Sequence, residues 1–259
     1  MTTEVSVTRA GPLNILRINR PEKKNALTRT MYQSLSDAIE SGDSDPAIAV
    51  HILTGSNGMF TAGNDIKDFL EAGARTKEPG HADEVVRFIR LLPLIKKPLI
   101  AAVDGIAIGI GTTLLFHCDL VYATPTATFA TPFLDLGLVP EAGSSLLMPR
   151  AMGYQRSFEM LVLGETFSAA RGHEAGFVTD VVAAEALEMT AVKSAQRLAA
   201  KPPEALAIAR KLLRGDPAEL SARVDKEAKA FEQRLKSPEA REAFQAFLEK
   251  RAPRFRASE

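Results

Sequence analysis

The sequence predicts an α/β fold, and three observations carry that prediction. Short apolar runs of strand character occur at 13–18, 47–53 and 99–103, amphipathic segments of helical spacing alternate with them, and the chain beyond Lys201-Pro202-Pro203 reads as helix throughout. The 259 residues, 46% of them hydrophobic, are enough to bury a substantial core, with residues 1–200 as the core and 201–259 as a C-terminal helical region.

Val5, Val7 and then Leu13 to Ile18 alternate as two strands about Gly11-Pro12, which marks a hairpin. Thr28 is a suitable N-cap for the amphipathic stretch Arg29 to Glu40, and Ala47 to Leu53 follows as a buried strand. Residues 67–84 are charged and interrupted by Gly73, Pro79 and Gly80, which fits either a surface excursion or a mobile stretch beside a site. A helix is expected over Val85 to Leu92, a strand at Leu99 to Val103, and a short helix at Thr112 to Cys118. Helices at 151–163 and 169–176, a strand at 177–183 and a helix at 185–200 complete the core. Three helices at 204–213, 218–235 and 238–251 form the tail.

Lys+Arg and Asp+Glu each count 32, so no global charge draws the chain to nucleic acid or to an anionic membrane. One cysteine, Cys118, excludes an intrachain disulfide. The polar start and the absence of a run of transmembrane length point to a cytoplasmic protein outside the membrane. His51, His81, His117 and His173 lack metal-ligand spacing, no phosphate loop occurs, and Gly143-Ser144-Ser145-Leu146 is not a nucleophile elbow.

The informative stretch is Asp104 to Ser145. An apolar strand stops at Asp104-Gly105 and passes through Gly109 and Gly111 into a helix onset, where unpaired N–H groups can face an anion. By themselves these glycines fit tight packing better than an anion site, because the third glycine of a dinucleotide fingerprint is missing. Glu141 stands just before another helix start among Leu136, Leu138 and Val139. It is compatible with a solvated first-turn residue that complements the dipole, or with a proton carrier whose pKa is raised by apolar surroundings.

Phe60-Thr61-Ala62-Gly63-Asn64-Asp65, Lys97-Pro98-Leu99-Ile100-Ala101-Ala102-Val103-Asp104-Gly105 and Gly137-Leu138-Val139-Pro140 together resemble the enoyl-CoA hydratase/isomerase (crotonase) superfamily. Asn19-Arg20-Pro21-Glu22-Lys23-Lys24-Asn25-Ala26-Leu27 and the end Ala246 to Arg251 extend the resemblance over nearly the whole chain. It implies a core of ββα units wound as a spiral, a C-terminal helical trimerisation region, and an acyl-CoA thioester as substrate with no separate cofactor. It also implies two backbone oxyanion donors, the N–H groups of Asn64 and of Ile110, the latter where the family usually has glycine. Ala62, Gly63, Asp65 and Ile66 would line the thioester site, with Phe69 and Leu70 at the acyl chain. Lys24 and Lys250 are candidates for CoA phosphate, although each fits a surface lysine as well.

The superfamily's hydratases use two glutamates, and this sequence resembles them with Thr113 and Phe133 at those places, neither of which supplies a base. Double-bond migration needs one proton shuttle, and Pro140-Glu141 resembles the peroxisomal-type Δ3,Δ2-enoyl-CoA isomerases. The resemblance therefore implies a 3-enoyl-CoA isomerase of fatty acid or related acyl-CoA degradation with Glu141 as shuttle. A hydratase or other lyase using Glu141, or an inactive acyl-CoA-binding homologue, remains an alternative. Asp65 is expected to fix the oxyanion loop, Asp119 and Asp135 to be structural, and the apolar tail faces to bring copies together as a homotrimer or hexamer.

Overall fold

The computed structural model describes residues 4–65 and 84–255. Ile66, Phe69, Leu70 and almost all of the charged stretch at 67–84 lie outside the described residues.

Strands β1 (Val5–Ala10) and β2 (Leu13–Ile18) form the expected hairpin, turning at Gly11 with φ +57°. Helix α1 (Arg29–Ser44) starts at Thr28, whose side chain accepts from Met31 N, and buries Met31, Tyr32, Leu35 and Ile39. Strand β3 (Val50–Thr54) begins later than the apolar run because Pro46 turns the chain and the Asp45 carboxylate takes the Ala47 N–H at 2.9 Å. Helix α2 (Glu84–Leu91) leads to β4 (Leu99–Val103), β5 (Ile106–Ile108) and α3 (Ile110–Thr113). The helix expected at 112–118 thus begins two residues earlier and tightens after one turn into a 3₁₀ segment, Leu114–His117.

Next come β6 (Leu120–Ala123), β7 (Thr128–Ala130), α4 (Ser144–Met152) and α5 (Tyr154–Leu161). Gly153, at φ +81° and ψ 160°, divides what the periodicity reads as one helix. Strand β8 (Phe167–Ser168), α6 (Ala169–Ala175), β9 (Asp180–Val181) and α7 (Leu187–Ala199) close the core. The strand expected at 177–183 shrinks to β9, since only those two residues pair with Tyr122 and Ala123. The tail consists of α8 (Pro203–Arg214), α9 (Pro217–Leu235) and α10 (Pro238–Leu248).

Among the described residues, one sheet runs β1-β2-β3-β4-β6-β9, parallel except for the hairpin, and a second runs β5-β7-β8. The units β1-β2-α1 and β4-β5-α3 repeat one ββα order. Strands β3 and β4 are buried on both faces, as parallel strands generally are. Leu53, Leu99, Ala101 and Val103 face the main core, whereas Val50, Ile52, Ile100 and Ala102 face Leu187, Ala191 and Ala195 of α7. This period-2 division is what two-sided burial requires of a strand.

Val224, Ala240 and Phe244 of the tail are buried in the main core, with Phe231 and Leu235 packed against it. The tail therefore satisfies part of its apolar surface within its own chain. Leu212 and Leu213 remain 78% and 90% exposed, and Phe247 and Leu248 are also exposed. Among the described residues no helix is long and apolar enough to cross a membrane.

Candidate active site

Two segments run side by side at the end of β5. Thr61 N donates to Ile106 O at 3.0 Å and Ile108 N to Thr61 O at 3.1 Å, a parallel bridge between Thr61 and Ala107. Gly63 has φ +84°, and a Cβ there would stand 2.6 Å from Ile108 O, so the approach of these backbones demands glycine. On the other side Ala62 N donates to Lys24 O, Leu27 N to Gly63 O and Asp65 N to Leu27 O. That pairing engages Asp65 N, the Thr61 hydroxyl takes Gly63 N at 3.1 Å, and the Asn64 N–H between them has no partner among the described residues.

Ile110 acquires the same property from a different cause. Gly109, at φ +57°, offers its carbonyl to Thr112 N and Thr113 N, and the first N–H of the turn, that of Ile110, has no acceptor among the described residues. Because Thr61 pairs with Ala107, Asn64 and Ile110 stand at equal offsets, three residues beyond the bridge. The Ile110 side chain is buried in the core, so a residue larger than glycine is accommodated without changing the backbone donor.

Neighbouring side chains brace this region. Asn64 Oδ1 accepts from the Tyr32 hydroxyl, and Asp65 Oδ2 lies 2.7 Å from Arg20 Nη1, which also donates to Ala26 O at 3.0 Å. Asp65 is thereby engaged in holding the loop. Lys24 sits at φ 52° with an exposed side chain, its carbonyl fixing Ala62. Lys250 is exposed at the far end of the tail, beyond the roughly 12 Å of helix that separate Ala240, packed on Gly137, from Leu248. No described hydrogen bond or ion pair joins the Lys250 side chain to Glu141 or to the Asn64 and Ile110 segments.

Glu141 lies outside the first turn of any helix, since α4 begins at Ser144, and it is only 5% exposed. The solvated alternative is thereby overturned, and the chain neighbours Leu138 and Ala142 are buried as well. Oε1 accepts from the Thr113 hydroxyl at 2.6 Å, while the buried Oε2 has no partner among the described residues. Burial pushes the Glu141 carboxyl up to about 8; the Thr113 bond opposes this by favouring the charged form, and the like charge of Glu227 adds to it.

The turn after Glu141 has Ala142 at φ 56° and Gly143 at φ 73°, a left-handed pair uncommon for alanine. His117 Nε2 donates to the Ala142 carbonyl at 2.6 Å, and burial lowers the His117 pKa to about 4, so the ring is neutral. Phe133 is buried edge-on against Phe231, ring centroids 6.4 Å apart. Cys118 and Asp119 point elsewhere: burial raises the thiol's pKa, and Asp119 accepts from Leu99 N and Arg210. Among the described residues no group of three or more His, Cys, Asp or Glu is placed to hold a metal ion.

Sequence reasoning gave no role here to four residues: Arg20, which lies in a stretch that carries the resemblance, Tyr32, His117 and Glu227. For Glu227 a signal existed, because it sits on the apolar stripe of α9 between Val224 and Phe231, where a carboxylate is costly unless it has partners. The other three contacts join segments far apart in sequence.

The described residues thus hold two backbone N–H groups without partners, those of Asn64 and Ile110, and a buried carboxylate, Glu141, joined to the Ile110 turn through Thr113. A sequence profile of the enoyl-CoA hydratase/isomerase family matches residues 9–258, and the chain belongs to that family, with a crotonase-like core and a C-terminal helical region. It is 34% identical over 247 residues to enoyl-CoA delta isomerase 2 of Rattus norvegicus, covering 94% of this chain and 63% of that protein. With 2,3-dehydroadipyl-CoA hydratase of Escherichia coli K12 it shares 32% identity over 256 residues, 98% of this chain and 99% of the other. The crystal structure of an enoyl-CoA hydratase/isomerase from Pseudoalteromonas atlantica T6c superposes with a TM-score of 0.93 at 38% identity, covering 98% of this chain and all of that one.

Proposed function

We propose that the chain is an isomerase converting a 3-enoyl-CoA to the 2-trans-enoyl-CoA, with Glu141 as its single proton shuttle. The observation that carries this reading is one buried carboxylate with a free oxygen, Oε2, in a corner where Thr113 and Phe133 resemble replacements of the hydratases' glutamates. Both oxygens of Glu227, the other buried carboxylate nearby, are already engaged.

In this mechanism Asn64 N–H and Ile110 N–H hold the thioester oxygen. Glu141 takes a proton from C2, and the electron pair of that bond moves onto the oxygen as a dienolate. Return of the proton at C4 restores the carbonyl and leaves the double bond between C2 and C3. Each backbone donor of this type supplies about 2.7 to 4 kcal/mol in the transition state. A carboxyl with a pKa of about 8 retains the proton between the two steps, and the ionised form that takes the C2 proton grows as pH rises through about 8. Ala62, Gly63 and Asp65 line the thioester, and Lys24 and Lys250 are the cations offered to CoA phosphate.

The second reading, a hydratase or other lyase acting through Glu141, draws support from the similarity to the Escherichia coli hydratase. Purified protein supplied with a 3-enoyl-CoA and, separately, with crotonyl-CoA distinguishes the two. Isomerisation with weak or absent hydration is expected. Hydration at the rate of ordinary hydratases would overturn the isomerase reading, and binding without C2 proton exchange would leave a non-catalytic acyl-CoA binder.

Residues 1–200 act as the catalytic core and 201–259 as the assembly region, with Leu212, Leu213, Phe247 and Leu248 giving copies an apolar face to share in a trimer or hexamer. Sedimentation at micromolar concentration checks this; a clean monomer would remove it.

A further inference from the structure

Helix α9 belongs to the tail, yet it delivers a carboxylate directly behind the acid-base corner. Glu227 is 7% exposed; its Oε2 accepts from Gly143 N at 2.6 Å, and its Oε1 accepts from Ser145 N at 3.0 Å and from the Ser145 hydroxyl. Arg223, one turn earlier, donates to Ser145 Oγ at 3.1 Å. Helix α4 has no capping side chain of its own, because its N-cap is Gly143. Glu227 therefore performs that role from 82 to 84 residues away in sequence.

A cap alone would be structural, but what it caps matters. The peptides it grips follow Glu141 immediately, in the left-handed pair Ala142-Gly143, and His117 holds the same turn from the opposite side through the Ala142 carbonyl. Glu141 is attached to a turn pinned at both ends by buried groups from other elements. We infer that Glu227 is a positioning residue for the acid-base step, through which docking of the C-terminal helices sets both the aim and the charge state of Glu141. This rests on Glu141 being the proton shuttle.

The effect on charge has a definite sign. Burial raises the Glu227 carboxyl above its ordinary range, and the donors Ser145 Oγ, Gly143 N and Ser145 N, with Arg223, oppose this by favouring the ionised form. His117 is neutral, Arg223 stands beyond Ser145, and Arg234 of α9 donates to Gly137 O at 3.1 Å and pairs with Glu239 of α10. A negative charge behind Glu141 disfavours its ionisation, so removing that charge eases it.

The test compares wild type, Glu227→Gln and Glu227→Asp in the full chain, following 3-enoyl-CoA conversion and C2 deuterium exchange across about pH 6 to 10. Glu227→Gln is expected to lower kcat by roughly 10- to 100-fold with little change in KM, the scale of a displaced catalytic group. Its acid limb should also move to lower pH. Lost stability alone would lower Tm without moving that limb. An unshifted limb with wild-type kcat in folded, active Glu227→Gln overturns the inference alone. A wild type that neither isomerises nor exchanges overturns the reading of Glu141, and this inference with it. Should Glu227→Gln fail to fold, Glu227→Asp decides: it keeps the charge but withdraws the carboxylate from Gly143 N, so reduced kcat with an acid limb close to wild type is expected, and wild-type kcat overturns.

Discussion

The two halves of the site are built in opposite ways. The side proposed to hold the thioester oxygen, residues 61–65 and 105–110, consists of backbone: paired segments, a glycine where two segments touch, and N–H groups left over by the pairing. The acid-base side consists of side chains that converge from α3, the loop at 133–142, the 3₁₀ turn at His117 and the tail helix α9. A main-chain N–H tolerates a change of side chain as long as the path of the chain is kept, and the Ile110 side chain is buried away in the core. A buried carboxylate does not, because each neighbour alters both its position and its proton affinity.

The severest way to break this contrast is Glu141→Gln. The amide keeps the size and the Thr113 bond but accepts no C2 proton, so kcat should fall by about 10² to 10⁴, with CoA-thioester affinity within a few-fold of wild type. Deuterium exchange at C2 is the measurement, and near-normal exchange would remove Glu141 as the base. The same variant bears on stability. The folded pKa of Glu141 lies above its unfolded value, so the wild type loses stability as pH rises from the unfolded carboxylate range through about 8. Glu141→Gln should therefore melt higher than wild type near pH 9, by roughly a few degrees.

Thr113→Val sharpens the contrast in the reverse direction to Glu227→Gln. Its hydroxyl favours the charged form of Glu141, so its loss should raise that pKa, shift the acid limb of kcat/KM upward and cost about tenfold in rate at neutral pH. A limb that moves downward would contradict the hydrogen-bond account.

The smallest effect is expected on the backbone side. Ile110→Val removes one buried methylene and leaves the N–H in place, so kcat/KM should stay within about twofold while stability falls by roughly 0.5 to 1.5 kcal/mol. A large loss of activity without a matching loss of stability would mean that the Ile110 side chain helps to shape the donor.

Much of this molecule was legible before its coordinates. The strands 13–18 and 99–103, the capped helix after Thr28 and the tail helices follow from local period and capping chemistry, which act over a few residues. Strands β5, β7 and β8 were not legible, since two or three residues carry no measurable period and exist only by pairing with one another. The ββα spiral, the oxyanion donors and the role of Glu141 entered through resemblance, because no local pattern states which distant loops will meet.

What the sequence determined by itself was the residue chemistry on offer: one carboxylate after Pro140, no second base at 113 or 133, glycines at 63 and 109, and apolar helices at the end. What only the tertiary structure decided was the state of those residues. Solvation and charge depend on neighbours brought from tens of residues away: the Glu141 carboxyl is buried, it is hydrogen-bonded because α3 presents Thr113, and its turn is held because α9 carries Glu227 across the chain. Covalent order fixes which groups exist, whereas desolvation and Coulomb interactions act through space.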